Sequence, residues 1–111
     1  MTPQRYASCI DACVKCALAC QYCSAACLKE DDVKQMVRCI SLDRDCAAIC
    51  ELSAAAMARE SENSPALCGL CAEICEACGD ECSRHKADHC QACAQACRAC
   101  AEECRKMAKS S

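Results

Sequence analysis

The chain has 111 residues, a formal net charge of −3 and 19 cysteines, with no Phe or Trp. That length bounds it to a single domain over 1–111, and the slightly acidic balance with scattered basic residues excludes a nucleic-acid surface. No apolar run approaches the ~20 residues that cross a bilayer, and MTPQRYASC enters the cysteine pattern without a secretory or twin-arginine leader, so a cytoplasmic protein with no membrane partner is expected.

Thr2 and Pro3 read as an N-cap followed by proline at the first helical position, where its missing N–H costs nothing. The first helix, over 3–29, carries Cys9, Cys13, Cys16, Cys20, Cys23 and Cys27. Glu30, Asp31 and Asp32 interrupt that pattern and suit the start of a second helix over 32–59, where acids oppose the macrodipole. This helix has only Cys39, Cys46 and Cys50, and its inward register continues through Ser53 and Met57. Its extra aliphatics, Val33, Val37, Ile40, Ile49 and Leu52, are expected to give conventional packing or a subunit interface. SENSP at 61–65 is the clearest break, and Ser64 and Pro65 repeat the cap-then-proline signal. The third helix, over 65–84, carries Cys68, Cys71, Cys75, Cys78 and Cys82. After a short turn Asp88 can cap the fourth, over 88–107, with Cys90, Cys93, Cys97, Cys100 and Cys104. Short connections make neighbours antiparallel, so the predicted fold is all-α, an antiparallel up-down-up-down four-helix bundle with a cysteine-lined core.

Alternating steps of three and four average 3.5 residues, which puts the thiols of each helix on one stripe. Three Val, six Leu and four Ile are too few for an ordinary core. Free cysteine packs as a small hydrophobe, and Ala12, Ala19, Ala26, Ala92, Ala96 and Ala99 flank the stripe and allow close approach. The expected domain therefore has a thin core that gains stability when metal fills it.

Eight cysteine pairs are four residues apart, leaving Cys39, Cys68 and Cys90 over. Two thiolates one helical turn apart can hold an ion in near-linear geometry, which suits Cu(I), whereas Zn(II) prefers four ligands in a tetrahedron. Charge points the same way. Thiolates buried without cations are prohibitively costly, and one Cu(I) per thiolate cancels them, so the expected capacity is multiple ions per chain, roughly one per cysteine. Disulfides are the usual reading of a small cysteine-rich chain, but the odd count and the helical registers oppose it. Iron–sulfur signatures of the form C-x-x-x-C-x-x-C recur here only because 4-3 spacing generates them. A Zn(II) or Cd(II) buffer is the rival binding function. Thiol redox chemistry at Cys68 and Cys71 or at Cys90 and Cys93, near helix starts, is the rival enzyme function, although it needs two cysteines and not nineteen.

The cysteine-lined bundle, with segments such as CAEICEACGDEC over 71–82 and HCQACAQACRAC over 89–100, resembles the bacterial copper storage proteins along essentially the whole chain. Exported members of that family carry a twin-arginine leader and fewer cysteines, so this chain is similar to the cytosolic branch. The resemblance implies a homotetramer of bundles, each filled with Cu(I) on inward cysteines, and copper chaperones or exporters as candidate partners.

Up-down topology gathers Cys27, Met36, Cys39, Cys82, His85, His89 and Cys90 at one end. His85, His89 and Met36 are candidates for the point where copper enters, or for accessory ligands; the plainer alternative makes the histidines solvated turn residues. The other end gathers Cys9, Met57, Cys68, Cys104 and Met107, with both methionines read as core plugs. Tyr6 and Tyr22 read as packing residues. Glu73, Glu76, Glu81, Glu102 and Glu103 fall between the cysteines and read as a solvated face. There is no phosphate loop, no serine–histidine–acid set and no Glu-x-x-His carboxylate pattern, so no catalysis is expected.

Overall fold

The 4-3 cysteine registers fold as four α-helices: α1 (Ala7–Cys27), α2 (Val37–Ala58), α3 (Ser64–Ser83) and α4 (Asp88–Ala108). Short 3-10 turns, Gln4–Tyr6 and Val33–Met36, precede α1 and α2. The computed structural model describes residues 4–109, and there is no strand among them. α1 packs on α2 and α4, and α3 packs on the same two helices, so the bundle closes as a square with consecutive helices adjacent. The rod measures 44 × 23 × 17 Å. It is the up-down bundle that the spacing and the short connections predict.

Close packing rests on small residues beside the thiols. Ala17, Ala47, Ala72, Ala94 and Ala101 are all buried. At Gly79 a Cβ would meet that of Cys97 at 3.3 Å, so α3 and α4 approach there more tightly than a larger side chain permits.

Helix termini differ from the sequence expectations in three places. α2 starts at Val37 and not at Asp32, because Val33–Met36 form a 3-10 turn that brings Met36 into the core. Ser64 does not cap α3. Asn63 holds the cap position, Pro65 lies in the first turn, and Ser64 points inward one turn ahead of Cys68. Asp88 does not cap α4 either; extended Ala87 does, and Asp88 acts as an acid in the first turn, where it faces the positive end of the dipole. The Thr2 and Pro3 cap lies outside the described residues.

The turn from α2 to α3 is a Schellman motif. Ser61 N–H donates to Ala56 O at 2.9 Å and Glu60 N–H to Met57 O at 3.1 Å. Glu60 holds the left-handed position at φ 54°, where a Cβ crowds the backbone and glycine would not. Glu60→Gly is expected to stabilise the apoprotein by about 1 kcal/mol. Chemical denaturation checks this, and an unchanged or lowered midpoint would show the strain to be absent.

Candidate metal site

Every one of the nineteen cysteines is free and buried, none more than 1% exposed. Within a helix, thiols four apart lie at 3.8 Å for Cys71 and Cys75, 3.9 Å for Cys23 and Cys27 and for Cys100 and Cys104, and 4.0 Å for Cys16 and Cys20, Cys78 and Cys82, and Cys93 and Cys97. Sulfurs on different helices come closer. Cys39 and Cys82 lie at 3.4 Å, as do Cys46 and Cys75; Cys16 and Cys46 lie at 3.6 Å, as do Cys13 and Cys100. The sequence pairs thiols along a helix, whereas the fold adds partners across the bundle that are at least as near.

The result is a continuous column of sulfur. Cys16, Cys46, Cys50 and Cys75 form a quartet whose sulfurs lie within 4.8 Å of one another. Cys16 and Cys46 belong also to a quartet with Cys20 and Cys97, which in turn shares Cys20 and Cys97 with one completed by Cys78 and Cys93. Further quartets stand at either end, Cys13, Cys71, Cys100 and Cys104 at one and Cys23, Cys27, Cys39 and Cys90 at the other. A thiol that belongs to two quartets is placed to bridge two ions.

At the histidine end of the column burial pushes Cys27 up, and it pushes Cys90 up to about 11, so both keep their protons near neutral pH.

The second helix is not set apart. Its inward row runs Cys39, Asp43, Cys46, Cys50, Ser53 and Met57 at steps of 4, 3, 4, 3 and 4, and all six are fully buried. Asp43 fills a thiol position and was missed by reading cysteines alone; an acid on an inward 4-3 register position was the available signal. Its Oδ1 accepts S–H bonds from Cys78 at 3.2 Å, Cys93 at 3.3 Å and Cys82 at 3.4 Å, while Cys39 reaches Oδ2 at 3.9 Å. Loss of solvation, reinforced by the thiols of Cys93 and Cys78, pushes the carboxyl up to about 10. An oxygen donor thus stands inside the column with four thiols around it. The outer face of α2 keeps Val37 and Leu52 exposed, at 60% and 46%.

At the end where α1 meets the second 3-10 turn, the histidines turn out not to be solvated turn residues. The His89 side chain is 14% exposed and that of His85 17%. His89 Nδ1 lies 3.5 Å from the sulfurs of Cys23 and Cys90 and 3.9 Å from that of Cys27. Its Nε2 lies 2.9 Å from Glu30, an acceptor only, so Nε2 carries a proton, and in the neutral ring Nδ1 turns a lone pair to the thiols. His85 Nε2 meets Glu81 at 2.8 Å, and His85 lines a surface pocket together with Glu30 and buried Met36. Glu81 departs from the expected solvated face. It is 7% exposed and also takes Arg38 at 2.8 Å, and the hydrogen bond from His85 chiefly holds its carboxyl below the usual range. At the far end Met57 and Tyr6 are buried; Tyr22, beside Cys23 on α1, is 69% exposed and does not pack inside the bundle.

A family model described as copper storage protein matches residues 2–109. The chain belongs to the copper storage protein family. The resemblance read from 71–82 and 89–100 is borne out, and the family's described role is storage. Among its relatives is an uncharacterized cysteine-rich protein of Bacillus subtilis, YhjQ, 52% identical over 82 residues that make up 74% of this chain and 76% of that one. The structure of the Cu(I)-bound copper storage protein BsCsp3 matches with a TM-score of 0.90 at 51% identity, over 94% of this chain and 98% of that one. A cytosolic copper storage protein from Streptomyces lividans, solved with five coppers, matches with a TM-score of 0.91 at 40% identity, over 96% and 93%. Among the described residues no helix is long and apolar enough to cross a membrane.

Asp43 gives the apoprotein a pH-dependent stability whose sign follows from its raised pKa. The folded chain holds a proton up to about pH 10 that the unfolded chain releases near pH 4. Stability therefore falls as pH rises through that window, by at most about 1.4 kcal/mol per pH unit. Between pH 5 and 8, Asp43→Asn is expected to flatten the slope and raise the pH 8 denaturation midpoint. An unaltered slope in the variant would assign the pH dependence elsewhere.

Proposed function

We propose that the chain is a high-capacity cytoplasmic store for Cu(I), with all nineteen cysteines as ligands and roughly one ion per cysteine. The observation that carries this is the overlap of the buried thiol quartets. A tetrahedral Zn(II) site needs four thiolates of its own, and four thiolates around one Zn(II) leave two buried negative charges. Bridged Cu(I) uses shared thiolates, and each ion cancels one. Loading exchanges protons for metal: each Cu(I) taken up displaces one thiol proton, which leaves the core, and the resulting thiolate binds that ion and, where it bridges, a second one. The column is neutral before and after, so a core this deeply buried is tolerated in both states.

Copper enters at the histidine end. The Nδ1 lone pair of His89, held toward Cys23 and Cys90 by Glu30, is a ready third donor beside two thiols. His85 and Met36 border the neighbouring surface pocket and supply soft or borderline donors on the way in. Val14, Leu18 and Tyr22, spaced by four on the outer face of α1 and 46%, 67% and 69% exposed, support self-association into the homotetramer. Copper chaperones and exporters are the natural donors and acceptors, and nothing in the site calls for catalysis.

Anaerobic titration of reduced apoprotein with Cu(I) against a chromophoric chelator is expected to show tight uptake to about one ion per cysteine. Saturation at about four or five ions, with Zn(II) bound equally well, would sink the store in favour of a tetrahedral buffer. The joint His85→Ala and His89→Ala substitution is expected to slow Cu(I) loading roughly tenfold while leaving most of the capacity. Loading at the unmodified rate would remove both histidines from the route.

A further inference from the structure

The end of the bundle opposite the histidines has a feature that packing alone does not explain. The last inward position of α2 is Met57, fully buried, and its Sδ lies 3.6 Å from the Cys68 Sγ, whose S–H points at it. The thiol of Cys68 interacts with those of Cys9 and Cys104, which lie 3.7 Å from each other. Each helix thus gives this layer one sulfur: Cys9 from α1, Met57 from α2, Cys68 from α3 and Cys104 from α4. At Cys46 and Cys50 the α2 member of the column is a thiol; here it is a thioether.

Beside this layer stands an unsatisfied polar group. Ser64 is 1% exposed, lies one turn before Cys68 on the same face, and its Oγ has no hydrogen-bond partner. A buried hydroxyl left without a partner costs about 1–3 kcal/mol, which a leucine core would not tolerate gladly. The layer therefore combines four soft sulfurs with one idle hydroxyl donor, a composition suited to an ion and its thiolates and not to an apolar plug.

We propose that Met57 is a Cu(I) ligand, closing the column as a terminal site of three thiolates and one thioether with Cys9, Cys68 and Cys104; this rests on the storage reading above. Thioether sulfur is soft and binds Cu(I) without losing a proton. It completes the coordination of a terminal ion while adding no negative charge at the end of the core, where no further layer could supply a bridging cation.

The test uses full-length protein with selenomethionine in place of methionine, loaded with Cu(I) to saturation and measured at the selenium edge. The expected result is a copper scatterer at bonding distance from selenium that is lost or sharply reduced in Met57→Leu, which keeps the core apolar and nearly the same volume. Titration of that variant is expected to end one ion earlier, or to yield its last ion at about tenfold lower chelator concentration. A selenium–copper contact that persists unchanged in Met57→Leu, or its absence from fully loaded wild-type protein, would overturn the terminal site and leave storage intact. Wild-type protein that takes up no copper would overturn storage and the terminal site together. Circular dichroism of Met57→Leu checks its fold, and the wild-type selenium spectrum stands independently of it.

Discussion

A thiol and a thiolate differ by one charge, and in a buried column that difference governs everything else. Protonated, a cysteine is a small hydrophobe that packs beside alanine; ionised, it cannot stay in a low-dielectric core without a cation. The bundle is compatible with both states because it allows only neutral ones, S–H before loading and metal–thiolate after it. The narrow 23 × 17 Å cross-section leaves little besides sulfur between the helices, so few large aliphatic residues are needed.

That constraint explains where the pattern departs from cysteine. Asp43 stands at an inward position and is held protonated by the same loss of solvation that holds the thiols. Ser53 and Met57 continue the row as neutral groups, and at the other end His89 presents an uncharged nitrogen to Cys23 and Cys90. The ends and the flaws of the column carry neutral donors, while Glu30 and Arg38 sit at the rim where water reaches them, and the buried Glu81 carboxylate is paired with Arg38 and His85.

The rim also shows how the fold tunes a ligand without touching the thiols. Glu30, on the connection between α1 and α2, fixes which nitrogen of His89 bears the proton, and Glu81 does the same for His85 while tying α3 to Arg38 of α2. These acids are separated from their histidines by 59 and 4 residues, and only the second pair is visible as a helical spacing. Sequence reading therefore took Glu81 for a solvated residue and passed over Glu30 as a ligand-orienting group.

The sequence by itself determined the helices, their inward stripes and the neighbour-to-neighbour closure of the bundle. Steps of three and four can be satisfied on one face of a helix and nowhere else, and short connections leave adjacent antiparallel packing as the outcome. It also carried the chemistry, because no apolar core needs nineteen thiols. Tertiary structure alone decided which sulfurs meet, since the 3.4 Å approaches of Cys39 to Cys82 and Cys46 to Cys75 depend on the relative height of α2 and α3. The same alignment set Asp43 among four thiols, turned Ser64 inward and brought Met57 against Cys68. Periodicity fixes the face a residue takes on its own helix; the height at which two faces meet is set by the turns and by the fit of small side chains, and no repeat in one segment encodes it.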